Sequence, residues 1–186
     1  MKYFKKLVGE RIYLSPVNIE DVEKYVEWFC DFTMTDGVGR SGEVMTIKGE
    51  KEYLENATNN KLDFAIVKLE NDKLIGNCGF NEIDYKHRKA EIGLFIGDEN
   101  NRSKGYGKEI LKLLLDYGFN YLNLNNIMLT VKSFNERAIN CYQKVGFKEI
   151  GRRRKSYFLN GKYYDDIYMD ILAEEFKESY IRNKNI

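Results

Sequence analysis

Apolar and polar residues follow two different periods along this chain, and each period predicts its own type of secondary structure. In the central part the pattern repeats every second residue, as in a strand with one buried face. Ala90, Ile92, Leu94 and Ile96 show this alternation most clearly. The runs of this kind are residues 62–69, 74–83 and 89–96. Short polar turns separate the runs, so they predict an antiparallel meander.

A longer period, with apolar residues three or four positions apart, predicts helices elsewhere. Its clearest stripe contains Ile110, Leu111, Leu114 and Leu115. The segments predicted to be helical are residues 18–30, with Asn18 as N-cap, 47–57, 107–122 and 135–145. Between the first two, residues 31–42 contain three glycines and few large aliphatic side chains, which predicts a mobile loop. Such loops often select substrates.

The remaining apolar runs predict four further strands. Pro16 ends the first of them, and an Asn160-Gly161 turn joins the last two into a closing hairpin. These strands are residues 11–14, 126–132, 147–154 and 163–171. The order of elements predicts one α/β domain over residues 1–186, with a single mixed central sheet flanked by helices.

Composition agrees with one domain and excludes strong long-range electrostatic attraction. The 186 residues are 43% hydrophobic, and 30 Lys and Arg balance 29 Asp and Glu for a net charge of +1. No overall field therefore draws the protein to nucleic acid or to a membrane. The basic run 152–155 is the local exception, and we interpret it as an exposed strand edge rather than an RNA site.

The cysteines and the histidine argue against disulfides and metal. Cys30, Cys78 and Cys141 form no CxxC pair, and His87 is the single histidine, so no zinc site is expected. No apolar stretch is long enough for a signal peptide or a membrane span. These features predict a cytoplasmic protein with metal-free chemistry.

The glycines at 105 and 107 are the first candidate for binding chemistry. Gly105 and Gly107 let the backbone approach a ligand closely, and they stand immediately before a predicted helix. The free N–H groups and positive dipole of a helix N-terminus favour phosphate. The segment Arg102-Ser103-Lys104-Gly105-Tyr106-Gly107 is therefore a candidate pyrophosphate loop, although the pattern alone is a weak signal.

Other sequence motifs strengthen the interpretation of this loop as a binding site. The Arg-x-x-Gly-x-Gly pattern at 102–107, Asn-Glu-Arg-Ala at 135–138 and Tyr-Gln-Lys-Val-Gly-Phe at 142–147 together resemble the GNAT superfamily of N-acetyltransferases. Ala-Glu-Ile-Gly at 90–93 and Asn-Gly-Lys-Tyr-Tyr-Asp at 160–165 are similar to its branch of ribosomal-protein N-terminal and spermidine acetyltransferases. The resemblance extends over nearly the whole chain.

The resemblance implies a mainly antiparallel sheet that is splayed between the strands at 89–96 and 126–132, with acetyl-CoA bound in the splay. The residues that it assigns to the cofactor are Leu94, Phe95 and Ile96 for the pantetheine arm, Arg102, Ser103, Lys104, Gly105, Tyr106, Gly107 and Lys108 for the pyrophosphate, and Asn135 for the arm from the neighbouring strand. Family members often carry Gln at the position of Arg102.

Two residues are candidates for the acid–base chemistry of acetyl transfer. The resemblance implies that Tyr142 donates its hydroxyl proton to the coenzyme A sulfur, and a phenol with pKa about 10 is protonated at neutral pH. Glu91 is the first candidate for the base that takes the proton of the amine, and Glu82 and Asp84 are alternatives. Direct transfer in a ternary complex is expected, because no histidine motif would activate Cys78 or Cys141 as a nucleophile.

The acceptor is the least determined part of the reaction. A protein N-terminus, a polyamine or another small amine would serve, and Asp31, Asp36 and Glu43 in the predicted loop suit a cationic one. The alternative function is a catalytically silent coenzyme-A-binding regulatory module. The closing hairpin and residues 173–186 offer surfaces through which a homo-oligomer could pair.

Overall fold

The sheet spans the molecule and has eight strands in the order β1-β2-β3-β4-β5-β6-β8-β7. The computed structural model describes residues 2–60 and 62–182. The strands are β1 Leu7–Val8, β2 Ile12–Pro16, β3 Leu62–Lys68, β4 Leu74–Asp84, β5 Lys89–Ile96, β6 Asn126–Lys132, β7 Lys148–Leu159 and β8 Lys162–Leu172. All neighbours pair antiparallel except β5 and β6, which are parallel. The predicted mixed sheet and its β3–β4–β5 meander are confirmed.

Helices cover both faces of this sheet. They are α1 Val22–Phe29, α2 Phe32–Val38, α3 Ile47–Asn60, α4 Tyr106–Asn120 and α5 Glu136–Val145. The apolar stripe of α4, including Ile110 and Leu114, packs with Ala90 and Ile92 of β5 in one core. On the opposite face, α1 and α3 pack in a second core. The predicted α/β class, with helices flanking a mainly antiparallel sheet, is therefore confirmed.

Helix α2 corrects the prediction of a mobile loop at residues 31–42. Asp31 caps the helix through a 2.8 Å hydrogen bond from the backbone N–H of Thr33 to its carboxylate. Gly39, with φ of 75°, ends it in a left-handed conformation. Met34 and Thr35 are buried. The two caps and the buried face therefore stabilise a helix in this segment, although its glycines predicted a loop.

The hairpin of β7 and β8 turns at Asn160 and Gly161, which have φ of 48° and 77° and confirm the predicted turn. Strand β7 is the last strand of the sheet, and its basic run at residues 152–155 is exposed, as interpreted from the sequence. Arg152 pairs with Glu149 at 2.5 Å. Beyond β8, the predicted pairing surface at 173–186 is described only as far as Arg182.

A chain segment after β8 is attached to α4 through one buried carboxylate. Asp116 is 0% exposed and accepts hydrogen bonds from the backbone N–H groups of Tyr180, at 2.6 Å, and Ile181, at 2.9 Å. The side chain of Asn120 donates a further bond at 2.9 Å. The hydrogen bonds that Asp116 accepts therefore hold the segment after β8 against the helix that follows the glycine loop.

Glu50 is another buried carboxylate, and its position has a different consequence. It lies on the inward side of α3 and is 2% exposed. Burial raises the pKa of Glu50 to about 7, although the positive charge of Arg40 opposes the shift. The ionised form is therefore less favourable in the folded than in the unfolded protein.

We expect Glu50→Gln to raise the free energy of unfolding at pH 8 by about 1–3 kcal/mol and to change it much less at pH 4.5. Because the pKa is raised on folding, the wild type loses stability as pH rises from about 4.5 through 7. Urea titrations at both pH values measure the difference. Glu52→Gln, at a carboxylate that is 62% exposed on the same helix, is the matched control. A gain that does not depend on pH would contradict this account.

Candidate active site

Strands β5 and β6 separate after a short parallel contact. Among the described residues they pair only where Lys89–Glu91 face Asn126–Met128. The N–H of Gly97 donates to the carbonyl of Ile75 at 2.9 Å, on the β4 side. Since alternate residues of a strand direct their backbone groups to opposite neighbours, Leu94 and Ile96 direct theirs to the open side. The predicted splay therefore exposes strand backbone inside the sheet.

A cavity of about 480 Å³, here called the main cavity, occupies this opening. Nine of the eleven residues predicted to bind the cofactor line it: Leu94, Phe95, Ile96, Arg102, Ser103, Gly105, Gly107, Lys108 and Asn135. Tyr142 lines it as well. Four lining residues are cationic, namely Arg102, Lys108, Arg137 and Lys144, and none of those described is acidic. The main cavity is thus suited to an anionic ligand with an apolar arm.

The glycine loop has the geometry of an anion site. Ser103 and Gly105 have φ of 58° and 83°, so the backbone turns sharply before α4. Gly105 is the N-cap of α4, and no side chain caps the helix. The first N–H groups of α4, at 106–108, therefore remain available to a ligand. A Cβ on Gly107 would lie 3.4 Å from Cys141 Sγ, which shows how closely the loop approaches α5.

Arg11, the residue before β2, supports this loop, and the sequence did not predict this role. Its guanidinium donates to the carbonyl of Lys104 at 2.8 Å and to Glu109 at 3.1 Å. It also lies 4.7 Å from the ring centre of Tyr106. Lys104 and Tyr106 do not line the main cavity, although they were predicted to bind the cofactor. Both residues instead contact Arg11 on the outer side of the loop.

The guanidinium of Arg102 binds protein backbone. Nε donates to the carbonyl of Ile96 at 3.0 Å, and Nη2 donates to that of Gly97 at 2.6 Å. The side chain is 8% exposed. Burial and the nearby charge of Arg137 lower the pKa of Arg102. Arg102 therefore secures the end of β5 to the glycine loop.

Tyr142 stands in the last turn of α5, on the wall that closes the main cavity. Burial raises the pKa of Tyr142 above the ordinary value, and Arg137 opposes the shift. Its ring packs 6.1 Å from that of Phe147. Because the pKa is raised, the phenol keeps its proton at neutral pH and can donate it to a leaving group.

Helix α5 contributes more residues to the lining of the main cavity than the sequence predicted. Arg137, Asn140, Cys141 and Lys144 line the main cavity beside Tyr142. They lie at intervals of three and four residues, so they share one face of the helix. That spacing was the sequence signal for them. Burial raises the pKa of the Cys141 thiol, although neighbouring cations oppose the shift, so the thiol is a poor nucleophile here.

Glu91 does not line the main cavity. It lies on β5 where the parallel contact ends, and it accepts a hydrogen bond from Thr130 of β6 at 3.3 Å. Its register partner on β4 is Glu82. Asp84, the other alternative, binds the His87 ring at 2.7 Å in an exposed turn. Of the three, Glu91 is the carboxylate that stands beside the splay.

The three acidic residues predicted to attract a cation are all engaged locally. Asp31 caps α2, Asp36 accepts a short hydrogen bond from Ser41, and Glu43 accepts one from Arg40 at 2.8 Å. Asp36 and Glu43 line a second cavity of about 720 Å³ between the end of α2 and the β7–β8 hairpin. Asp31 does not line it.

An opened strand, a helix N-terminus and four cations around one cavity suit a long ligand with an amide-bearing arm and phosphates. The side chain of Tyr142 lines the same cavity. Together these define a coenzyme-A-dependent acyltransferase. Similarity to known proteins narrows this class further.

Residues 11–148 match the family described as acetyltransferase (GNAT) domain. The uncharacterized N-acetyltransferase p20 of Bacillus licheniformis is 30% identical over 178 residues, which cover 91% of this chain and 97% of that protein. A spermidine N(1)-acetyltransferase of Vibrio cholerae is 34% identical over 127 residues, or 68% and 73% of the two chains. The chain belongs to the GNAT family of acetyltransferases.

A solved structure agrees with this assignment. The spermidine N-acetyltransferase of Vibrio cholerae in complex with CoA and spermine matches with a TM-score of 0.81 and 25% identity, over 89% of this chain and 98% of that one. This protein is thus an acetyl-CoA-dependent N-acetyltransferase that moves an acetyl group to an amine. The comparisons give no support to a catalytically silent module.

No helix among residues 2–60 and 62–182 is long and apolar enough to cross a bilayer. Within the same ranges, no group of three or more His, Cys, Asp and Glu side chains could hold a metal ion.

Proposed function

We propose that the protein acetylates a small cationic amine by direct transfer within a ternary complex. The observation that carries this proposal is that one cavity joins the open edge of β5, the anion-binding loop and Tyr142. Bound acetyl-CoA would supply the activated acetyl group. The backbone N–H of Leu94 faces the opening and would polarise the acetyl carbonyl. Holding the amine close to that carbonyl would lower the barrier to attack further.

Tyr142 is the proposed general acid. Collapse of the tetrahedral intermediate releases a thiolate, and the intermediate collapses faster when that sulfur receives a proton as it leaves. Tyr142 lines the main cavity and holds its proton because burial raises its pKa. No lining carboxylate competes with it among the described residues.

Glu91 is the proposed base for the incoming amine. A lysine- or polyamine-type amine has a pKa of about 10.4, so it is almost fully protonated at pH 7 and must lose a proton before attack. Glu91 lies on the face of β5 opposite Ala90 and Ile92, which pack against α4. The hydrogen bond from Thr130 orients its carboxylate at the start of the splay. Because Glu91 does not line the main cavity, one ordered water would complete the path.

Replacing Glu91 with Gln is expected to lower kcat/KM for the amine about 10- to 100-fold at pH 7, and by less as pH approaches 10, where the amine loses its proton unaided. The rate of thiol release, followed with a thiol-reactive dye from pH 6.5 to 10, gives the profile. Glu82→Gln is the matched control, because Glu82 is the register partner of Glu91 on β4. A large loss in Glu82→Gln alone would transfer the role to Glu82.

The second cavity is the proposed site for the distal part of the acceptor. Among its described lining residues, Asp36 and Glu43 outnumber the one cation, Arg40, and Phe32 and Tyr157 add aromatic surface. Aromatic faces and an excess of carboxylate favour alkylammonium groups. Relatives named as spermidine acetyltransferases support this acceptor class.

The test is an acceptor panel with acetyl-CoA, read by thiol release and by mass analysis of the product. We expect spermidine or another polyamine to be acetylated faster than peptides with free N-termini, amino sugars or aminoglycosides. A peptide as the best acceptor would overturn the polyamine proposal. Coenzyme A binding with no turnover of any amine would overturn the catalytic one.

The domain and location of the protein are further parts of this proposal. We propose that residues 1–186 act as one acetyltransferase domain in the cytoplasm. The free thiols of Cys30, Cys78 and Cys141 fit a reducing compartment.

A further inference from the structure

Helix α2 forms a wall of two cavities at once. Thr33 and Gly37 line the main cavity, whereas Phe32 and Asp36 line the second. A movement of this helix would therefore change both sites together. With seven residues it is too short to be stable as an isolated helix, so its position depends on contacts with its neighbours.

Two hydrogen-bonded bridges attach α2 to the parts of the chain that bind the cofactor. Nη1 of Arg102, the first residue of the glycine loop, donates to Thr33 Oγ1 at 3.2 Å. Nδ2 of Asn135, the N-cap of α5, donates to the carbonyl of Gly37 at 3.3 Å. One bridge reaches each end of the helix, and each starts from a residue that lines the main cavity.

The bridge from Arg102 is the more rigid of the two. Three nitrogens of the same guanidinium bind three different residues, namely Ile96, Gly97 and Thr33. The Asp31 carboxylate, which caps α2, lies 4.0 Å from the guanidinium. A planar fork with several fixed partners transmits a displacement better than a single flexible contact does. The end of β5, the loop and α2 therefore form one connected unit.

We propose that Arg102 is a positioning residue that couples coenzyme A binding to the acceptor site through α2. A pyrophosphate on the N–H groups of the loop fixes the backbone that carries Arg102, and Arg102 then orders α2. Ordering one wall of the second cavity in advance lowers the entropy that the amine must lose on binding. The coupling rests on the proposed acceptor site, but its first step can be measured without any amine.

The expected size follows from typical coupling energies between sites, which correspond to about 5- to 150-fold in affinity. The coupling is reciprocal, so a bound amine would raise the affinity for coenzyme A by the same factor. Cofactor-free protein would then bind the amine weakly.

Hydrogen exchange with coenzyme A as the only ligand is the first test. At saturating coenzyme A we expect the amides of the loop, 102–108, and of α2, 32–38, to exchange about tenfold more slowly than in the free protein. In Arg102→Lys, which keeps the charge and loses the fork, the loop should still be protected at saturation and α2 should not. Arg152→Lys is the matched control, since Arg152 pairs with Glu149, lines neither cavity and should leave both segments protected.

Equal protection of α2 in wild type and Arg102→Lys would overturn the coupling, as would an unprotected α2 in the wild type. A loop that gains no protection would contradict coenzyme A binding itself, which is a separate failure.

With spermidine as the probe, the second test is steady-state kinetics at saturating acetyl-CoA. Arg102→Lys should raise KM for spermidine about tenfold and change kcat less than about threefold. A lower kcat with an unchanged KM would assign Arg102 to the chemical step instead.

Discussion

Tyr142→Phe is expected to lower kcat about 100- to 1000-fold while the Kd for coenzyme A changes less than about twofold. The substitution removes one oxygen and leaves the ring to pack against Phe147, so the cavity wall keeps its shape. What is lost is the proton for the departing sulfur. Thiol release under saturating substrates measures kcat, and calorimetric titration with coenzyme A measures Kd.

Tyr163→Phe is the control for this prediction, because Tyr163 is 63% exposed on the closing hairpin. It should leave both constants unchanged. Because burial raises the pKa of Tyr142, the wild type should not lose activity at high pH until the pH exceeds the ordinary tyrosine value of about 10. Full kcat in Tyr142→Phe would show that another group, or water, protonates the sulfur.

Asp116→Ala is expected to lower the free energy of unfolding by about 3–5 kcal/mol. It leaves the N–H groups of Tyr180 and Ile181 and the amide of Asn120 without their buried acceptor. Asp116→Asn keeps one acceptor oxygen and should lose less. Urea denaturation measures all three proteins.

Glu178→Ala is the matched control for this loss. Glu178 belongs to the same segment, but its side chain is 70% exposed and lies 3.9 Å from Lys112. We expect its removal to change stability by less than about 0.5 kcal/mol. A loss in Asp116→Ala no larger than in this control would show that the segment is not held by the carboxylate.

Much of the fold could be predicted because local patterns determine it. Alternation over 89–96 defined β5, the spacing of Ile110 and Leu114 defined α4, and Asn160-Gly161 defined the hairpin turn. Each is a signal within a few residues of the structure that it produces. The resemblance to a known family supplied what local patterns could not, namely that β5 and β6 separate.

Features that depend on distant contacts could not be predicted. Glu109 binds the backbone N–H of Arg11 at 2.8 Å across 98 residues of sequence, and no local pattern marks either partner. Helix α2 was missed because glycines predicted a loop, whereas its stability comes from a cap and buried Met34. The orientation of the Arg102 side chain could not be predicted either. A sequence motif specifies which residue is present, but it does not specify which atoms the side chain binds.

The separation of β5 from β6 also has a consequence for which acetyl donor fits the site. Leu94 presents backbone hydrogen-bonding groups to an opening inside the sheet, and such groups are costly to leave unpaired once water is displaced. A ligand that fills the opening must therefore bring amide groups of its own, spaced like those of a strand. Coenzyme A has two amides in its pantetheine arm, whereas a simple alkyl thioester has none. We therefore expect the interrupted ladder to favour coenzyme A over a small acetyl thioester that carries no amide groups.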